Sequence, residues 1–276
     1  MVFLMVKRYR YSMLLCLLAF ALSTAQTRPG FACKLPDHDS SQLKERIQFG
    51  VKWWFIPVLE TYMETHLLRN GEEPNLYRLT HQAALNTFWN DRMESVVDSK
   101  SLLPCRMETI VKDKESQWKD RIIFDRDEGI ARLLRQDRQN GEVIVNTVEI
   151  TPTSMDPLSA FYYLRKRLSP SRPYLEAKGI TDSRRFSLRG KLVAEERITV
   201  PAGSFNTYRF ECTLAYWPQT NKENRSATEL GPPRSNAFTL WVSQDEHRFP
   251  VQIQYRLALG SLTIRAISVH SDDTVS

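Results

Sequence analysis

The stretch Thr207-Tyr208-Arg209-Phe210-Glu211-Cys212-Thr213-Leu214-Ala215-Tyr216 places Tyr208, Phe210, Cys212, Leu214 and Tyr216 at every second position, with Thr207, Arg209, Glu211 and Thr213 between them. A period of two sends successive side chains to opposite faces of a pleated strand, and this run reads as one. Phe238, Leu240 and Val242 repeat the pattern against Ala237, Thr239 and Trp241, and Val251, Ile253, Tyr255 and Leu257 do so again. Beyond a turn at Gly260 come Leu262 and Ile264. Asn70-Gly71 and Asn140-Gly141 suit the positive φ angles of two-residue hairpin loops. Asp98 to Ser101, Asp113 to Ser116 and Asp127 to Gly129 supply further reversals. Strands at this spacing predict a mainly β fold, an antiparallel meander of about ten to twelve strands. Accumulated twist curls so long a sheet, giving a barrel, a half-barrel or a strongly bent sheet.

One segment breaks the period. Asp156 can cap a helix that starts at Pro157, where a missing N–H costs nothing, and Leu158, Phe161, Tyr162, Arg165 and Leu168 then share a side. The spacing predicts a helix from Pro157 to about Leu168 whose apolar side packs on the sheet. Ser169 to Pro173 reads as a linker and Trp217 to Asn236 as a long polar loop with Pro232-Pro233. The simplest organisation is one β-rich domain over residues 43–268. A flexible arm at 26–42 precedes it and a tail at 269–276 follows.

The first 25 residues carry Lys7, Arg8 and Arg10, an apolar run from Met13 to Leu22, and then the small residues Ser23, Thr24 and Ala25. This is the layout of a cleavable secretory signal peptide. As a helix the run rises only about 15 Å, half a bilayer's hydrocarbon thickness. A periplasmic location for the mature chain is expected, with no transmembrane span in it. Cys33, Cys105 and Cys212 then remain; one pair could form a disulfide, but the sequence selects no pairing. Cys105 and Cys212 also fit as buried small apolar residues. The five histidines are scattered and no Cys-x-x-Cys occurs, so neither metal nor cofactor is expected.

The whole chain of 276 residues is 42% hydrophobic and 25% charged, which excludes collagen-like, disordered and polytopic membrane proteins. Its net charge is +6. The first 25 residues account for three of those charges, and the remaining +3 is unevenly spread. From Arg165 to Lys191 the bases Arg165, Lys166, Arg167, Arg172, Lys178, Arg184, Arg185, Arg189 and Lys191 face only Glu176 and Asp182, a local +7 against −4 elsewhere. Such a segment suits an anionic lipid or polysaccharide partner, or is simply a solvated strand surface. No nucleic-acid module is present.

Pro201-Ala202-Gly203-Ser204-Phe205 is a turn rather than a nucleophile site: Pro sets φ, Gly203 permits positive φ, and Ser204 can hydrogen-bond the turn. No Gly-x-Ser-x-Gly elbow is present. On the helix, Arg165 with a tyrosine hydroxyl could hold an anionic head group, or Arg165 could pair with Asp156 or another carboxylate and orient the helix. Tyr163 points away from Tyr162 and is free to line a cavity mouth. Trp241 has the opposite parity to Leu240 and Val242, so it lies on the other face. The candidate ligand-binding residues are Tyr163, Arg165, Lys166, Arg167, Arg184, Arg185 and Trp241; no catalytic residue is assigned.

Several ordered blocks resemble one known family. They are Val51-Lys52-Trp53 with Ile56-Pro57, Ser95-Val96-Val97-Asp98 before Leu102-Leu103-Pro104, and Phe124-Asp125. Asp156-Pro157-Leu158-Ser159-Ala160-Phe161-Tyr162-Tyr163-Leu164-Arg165, Val200-Pro201-Ala202-Gly203-Ser204-Phe205, and Trp241-Val242-Ser243 with Arg248-Phe249-Pro250-Val251 follow. Together they resemble the exported bacterial family known as domain of unknown function 3108, over about residues 43–268. One departure is that Val58 and Leu59 stand where that family usually has a Gly. The resemblance implies a periplasmic or envelope β protein and transfers no catalytic residues. The expected function is non-enzymatic binding of an envelope amphiphile or polymer: lipid, lipopolysaccharide or polysaccharide. The alternatives are an envelope hydrolase using Asp125, Asp156 or Asp245 as paired carboxylates, and an assembly protein pairing through a sheet edge.

Overall fold

A computed structural model describes residues 41–68, 76–85, 89–113, 117–137, 143–181, 184–217 and 234–272. The expected signal peptide, Cys33, most of the expected N-terminal arm, the turns expected at Asn70-Gly71 and Asn140-Gly141, residues 114–116 and most of the 217–236 stretch lie outside the described residues. The alternating stretches form strands, and more of them than their number in the sequence suggests. In chain order they are β1 (Ser41–Trp53), β2 (Ile56–Leu68), β3 (Leu76–Leu85), β4 (Trp89–Asp98), β5 (Pro104–Asp113), β6 (Gln117–Asp125), β7 (Ile130–Asp137) and β8 (Val143–Glu149). Helix α1 (Pro157–Arg167) comes next, then β9 (Tyr174–Thr181), β10 (Arg184–Val200), β11 (Gly203–Trp217), β12 (Arg234–Ser243), β13 (Pro250–Arg256) and β14 (Ser261–Ser271). The described strands run from Ser41 to Ser271.

All fourteen strands belong to one antiparallel sheet in the order β8-β7-β6-β5-β4-β3-β2-β1-β14-β13-β12-β11-β10-β9. Two meanders are joined side by side where β1 pairs β14, from Glu45↔Ser271 to Trp53↔Leu262. Among the described residues β8 and β9 are the two edges of this sheet, and the chain passes from one to the other through the helix. The sheet is not closed by hydrogen bonds, but it curls. Bulges at Gln48/Phe49, Val96/Val97, Leu192/Ala194 and Trp241/Val242 add local twist. Helix α1 packs on β3 and β4 as well as on β9 and β10, strands that lie far apart in the sheet order. Ile180 of β9 is buried with Met107, Ile122, Phe124, Ala131 and Leu133 of β5, β6 and β7, so the two ends of the sheet approach each other through side chains.

The helix starts where the capping pattern places it. Asp156 accepts a hydrogen bond from Ser159 N at 2.8 Å, while Ser159 Oγ returns to the Asp156 N–H, a reciprocal cap. Leu164 and Leu168 lie over Gly190 of β10, where an added Cβ would come within 3 Å of both side chains. The approach to β9 is closer still. Met155 N donates to Lys178 O and Ile180 N donates to Met155 O, so the segment leading into α1 occupies the outer edge of β9. A Cβ at Gly179 would overlap the Met155 carbonyl, so only glycine fits there.

Two turns behave as read. Gly203 has φ +133, and the Ser204 hydroxyl lies 2.9 Å from Thr199 Oγ1 across the β10–β11 hairpin. Asp98 Oδ1 gathers the N–H and hydroxyl of Ser101, each at 2.7 Å.

Candidate functional site

The basic helix end is turned inward. Arg165 is 1% exposed and donates through Nη2 to Glu45 Oε1 of β1 at 2.5 Å; Glu45 is itself buried. The guanidinium lies over the Tyr162 ring, 4.1 Å from its centroid. Tyr162 is buried and accepts from Thr65 Oγ1 of β2 at 3.1 Å. Arg165, Tyr162, Glu45 and Thr65 thus form one bonded cluster that pins α1 to the β1–β2 hairpin. At the other end of the helix, Asp156 is fully buried and takes a 2.5 Å hydrogen bond from Ser95 Oγ of β4. Burial pushes its carboxyl above the usual range, although Ser95 and Ser159 oppose that rise.

The other candidate residues do not converge with Arg165. Lys166 Nζ donates to His247 O at 2.6 Å, and Arg167 Nη2 donates to Lys100 O at 2.9 Å. Lys166 as a residue is exposed, but lost hydration at its ammonium, with Arg165 adding repulsion, pushes its pKa down to about 8. Arg185 Nη2 donates to Glu149 O at the end of β8, while Arg184 lies over the Tyr216 ring. As consecutive residues of β10 these two arginines project to opposite faces of the sheet. Tyr163 lines a cleft of about 400 Å³ with Leu103, Met155, Glu176 and Lys178. Trp241 pairs with Arg209 and Gln252, whereas Leu240 pairs with Phe210 and Ile253, so the two occupy opposite faces. Trp241 is 8% exposed, shares a buried cluster with Val200 and Phe249, and donates through Nε1 to Glu196 at 2.7 Å. The +7 stretch is therefore distributed over α1, β9 and β10, with Arg189 and Lys178 both held by Glu176.

The carboxylates considered for hydrolysis are occupied by structure. Asp125 accepts from Arg132 and from Glu128 N, Asp156 caps α1, and Asp245 accepts from Ser243 Oγ and Arg248 N. Among the described residues no group of His, Cys, Asp and Glu is arranged to hold a metal ion. Cys212 is buried on β11, and burial raises its thiol to about 12, which makes it an inert core residue.

A different region has the features of a binding surface. Trp53 and Ile56 pair at the end of the β1–β2 hairpin, leaving Trp54-Phe55 as a two-residue loop. Trp54 has φ +59, at a loop position where this hairpin geometry ordinarily takes glycine. The β13–β14 turn lies alongside: Trp54 N donates to Ser261 O at 2.9 Å, and Trp53 Nε1 donates to Leu259 O at 3.0 Å. Gly260, at φ +85, lets the Trp54 ring lie against its backbone. The two tips are thus tied into one projection. Phe55 is 79% exposed, Leu259 66% and Trp54 64%, and Trp53, Ile56, Val58 and Leu257 are exposed as well. Among the described residues, these seven dominate the exposed large hydrophobic side chains, leaving only Ile123 and Tyr174 elsewhere.

Beneath the projection runs an open groove of about 680 Å³, within the usual range for small-ligand sites. Its walls are Val51, Trp54, Phe55, Pro57, Val58, Leu59, Pro201 and Ile267, with Gly50 in its floor. Lys52, Arg265 and Glu60 supply its charges. In the sequence Trp53 and Ile56 stood only within a family block and Leu257 only at the end of an alternating run, and Phe55 and Leu259 drew no reading. The available signal was a Trp-Trp-Phe-Ile run joining two strands with no Gly, Asn, Asp or Pro to make the turn.

An antiparallel sheet curled around one helix defines a barrel-like β protein. The chain belongs to the family described as protein of unknown function (DUF3108), whose model matches residues 47–267. No curated protein matches. Among solved structures, it is similar to a beta-barrel-like protein of domain of unknown function DUF1849 from Brucella abortus. That match has 7% identity and a TM-score of 0.51, covering 83% of this chain and 98% of that one, a likeness of fold. A protein with a YmcC-like fold from Bacteroides fragilis matches over 83% of this chain and 97% of its own at 9% identity, with a TM-score of 0.32.

Proposed function

We propose that the protein is an exported, non-catalytic component of the bacterial envelope that binds an anionic amphiphile in the groove at the β1–β2 end of the sheet. The observation that carries this reading is the composition of that groove. Its walls are apolar and aromatic, which suits an acyl chain, and Lys52 and Arg265 stand at its sides, which suits a phosphate or carboxylate head. Export rests on the basic, apolar and small-residue order of the first 25 residues. The absence of a catalytic role rests on the carboxylates and Ser204, which are committed to caps and turns. The helix end, with Arg165 bonded to Glu45, contributes scaffold to this reading and no contact to the ligand.

Native mass spectrometry of the mature chain, purified gently after export, tests the proposal. A copurifying lipid or lipopolysaccharide fragment is expected, and Ile267→Trp, which fills the groove with a larger side chain, should reduce its occupancy. A chain that purifies bare and takes up no phospholipid on incubation contradicts it.

A further inference from the structure

We infer that the paired hairpin tips are a membrane-docking wedge that seats the protein on an anionic bilayer surface. The inference goes beyond groove binding: Trp54 and Phe55 also wall the groove, but Leu257 and Leu259 lie outside it. Phe55, Leu259, Trp54 and Leu257 form a contiguous exposed apolar surface on two hairpins held together by Trp54 N–H to Ser261 O and Trp53 Nε1–H to Leu259 O. A contiguous patch of this kind on a folded chain marks an interaction site, whereas isolated exposed apolar residues do not.

Backbone strain supplies a second argument. Trp54 occupies a left-handed conformation with φ +59, which glycine adopts freely and a bulky residue only at a cost. Folding alone favours glycine there, and the side chain is 64% exposed, so little burial offsets the strain. A bulky ring kept at a position that folding would give to glycine points to a contact outside the chain.

The partner's chemistry follows from what surrounds the tips. Tryptophan rings with a polar N–H and an apolar body suit the headgroup boundary of a bilayer. The charged residues flanking the tips and groove are Lys52, Arg256 and Arg265, all exposed, against Glu60, which accepts a hydrogen bond from Gln48. Three bases around an apolar point match an anionic leaflet. Seated in this way, the groove opens beside the lipid headgroups.

The test is flotation of the mature chain with phosphatidylcholine vesicles, with and without phosphatidylglycerol. Wild type should float with the anionic vesicles, bind more weakly as salt rises, and show tryptophan quenching by brominated acyl chains. Phe55→Ser and, independently, Leu259→Ser should each lower partitioning about tenfold with an unchanged unfolding midpoint. Ile267→Trp should still float even where it no longer carries a copurified lipid, which separates docking from groove occupancy. Failure of the wild type to float, flotation of both tip variants at the wild-type level, or a concentration-dependent dimer that is lost in Phe55→Ser while vesicles are ignored would each overturn the inference.

Discussion

Arg165 and Phe55 are associated with opposite ends of β1, and each reverses the usual preference of its residue type. Arg165 belongs to the most basic stretch of the chain and is 1% exposed; Phe55 is aromatic and 79% exposed. At Arg165 the charge is compensated inside the molecule, because Glu45 takes Nη2 and Tyr162 covers the guanidinium face, although Nε and Nη1 are buried without hydrogen-bond partners among the described residues. At Phe55 the exposed ring follows a strained Trp54 and adds nothing to the core. An unusual residue that the fold satisfies is a structural device, and one that the fold leaves unsatisfied points to a partner. By this criterion the helix end holds the sheet together and the hairpin tips face outward.

The largest expected effect lies at the ion pair. Glu45→Ala leaves a buried guanidinium without its counter-charge and should destabilise the chain by about 3–5 kcal/mol in urea unfolding. The double substitution Glu45→Leu with Arg165→Met should recover much of that loss, since a matched apolar pair avoids the desolvation of both charges. If Glu45→Ala unfolds like wild type, the helix end is not the structural member of the comparison.

Next is Gly190→Ala, whose methyl group would meet Leu168 and Leu164 at 2.7 and 2.9 Å. Displacing the helix from β10 should cost about 1–3 kcal/mol, measured in the same way. Asp156→Ala removes the cap and the partner of Ser95, a loss of about 1–2 kcal/mol. Because the folded-state pKa of Asp156 is raised, the folded chain holds this proton more tightly than the unfolded chain does. The stability it contributes is complete below the ordinary value of 3.8 and is lost as pH rises through the folded pKa. Asp156→Asn should flatten that part of the pH–stability curve.

The smallest stability effects belong to the tips. Phe55→Ser should stay within about 0.5 kcal/mol of wild type, and Trp54→Gly should raise stability by about 1 kcal/mol as the left-handed strain is relieved. A substitution that stabilises the fold while weakening membrane binding would sharpen the contrast between the two regions.

The sequence carried the parts of this architecture that depend on neighbouring residues. The alternation through Phe210 and through Leu240, the Asp156-Pro157 start of the helix and the Gly203 and Gly260 turns all appear as read. The expected ten to twelve strands became fourteen, because strands such as β4, with Asn90, Asp91, Arg92 and Glu94, are polar on both faces and show no clean period. The β1–β14 pairing that joins the two meanders was not legible, since it links the first and last of the described strands.

The same limit governs the site. A run of bases is visible in the sequence, but Glu45, the partner of Arg165, lies 120 positions away. Whether a charge is satisfied is a tertiary property. The hairpin tips failed to stand out for the converse reason: an apolar run with no turn residue reads as core until the structure leaves it uncovered.

The most direct test compares the two regions in one vesicle-binding assay on anionic vesicles, with Phe55→Ser beside the double substitution Lys166→Ser with Arg167→Ser. The account predicts that Phe55→Ser loses binding while neutralising the exposed bases at the helix end leaves it unchanged. Loss of binding in the helix-end variant, with Phe55→Ser binding like wild type, would contradict it.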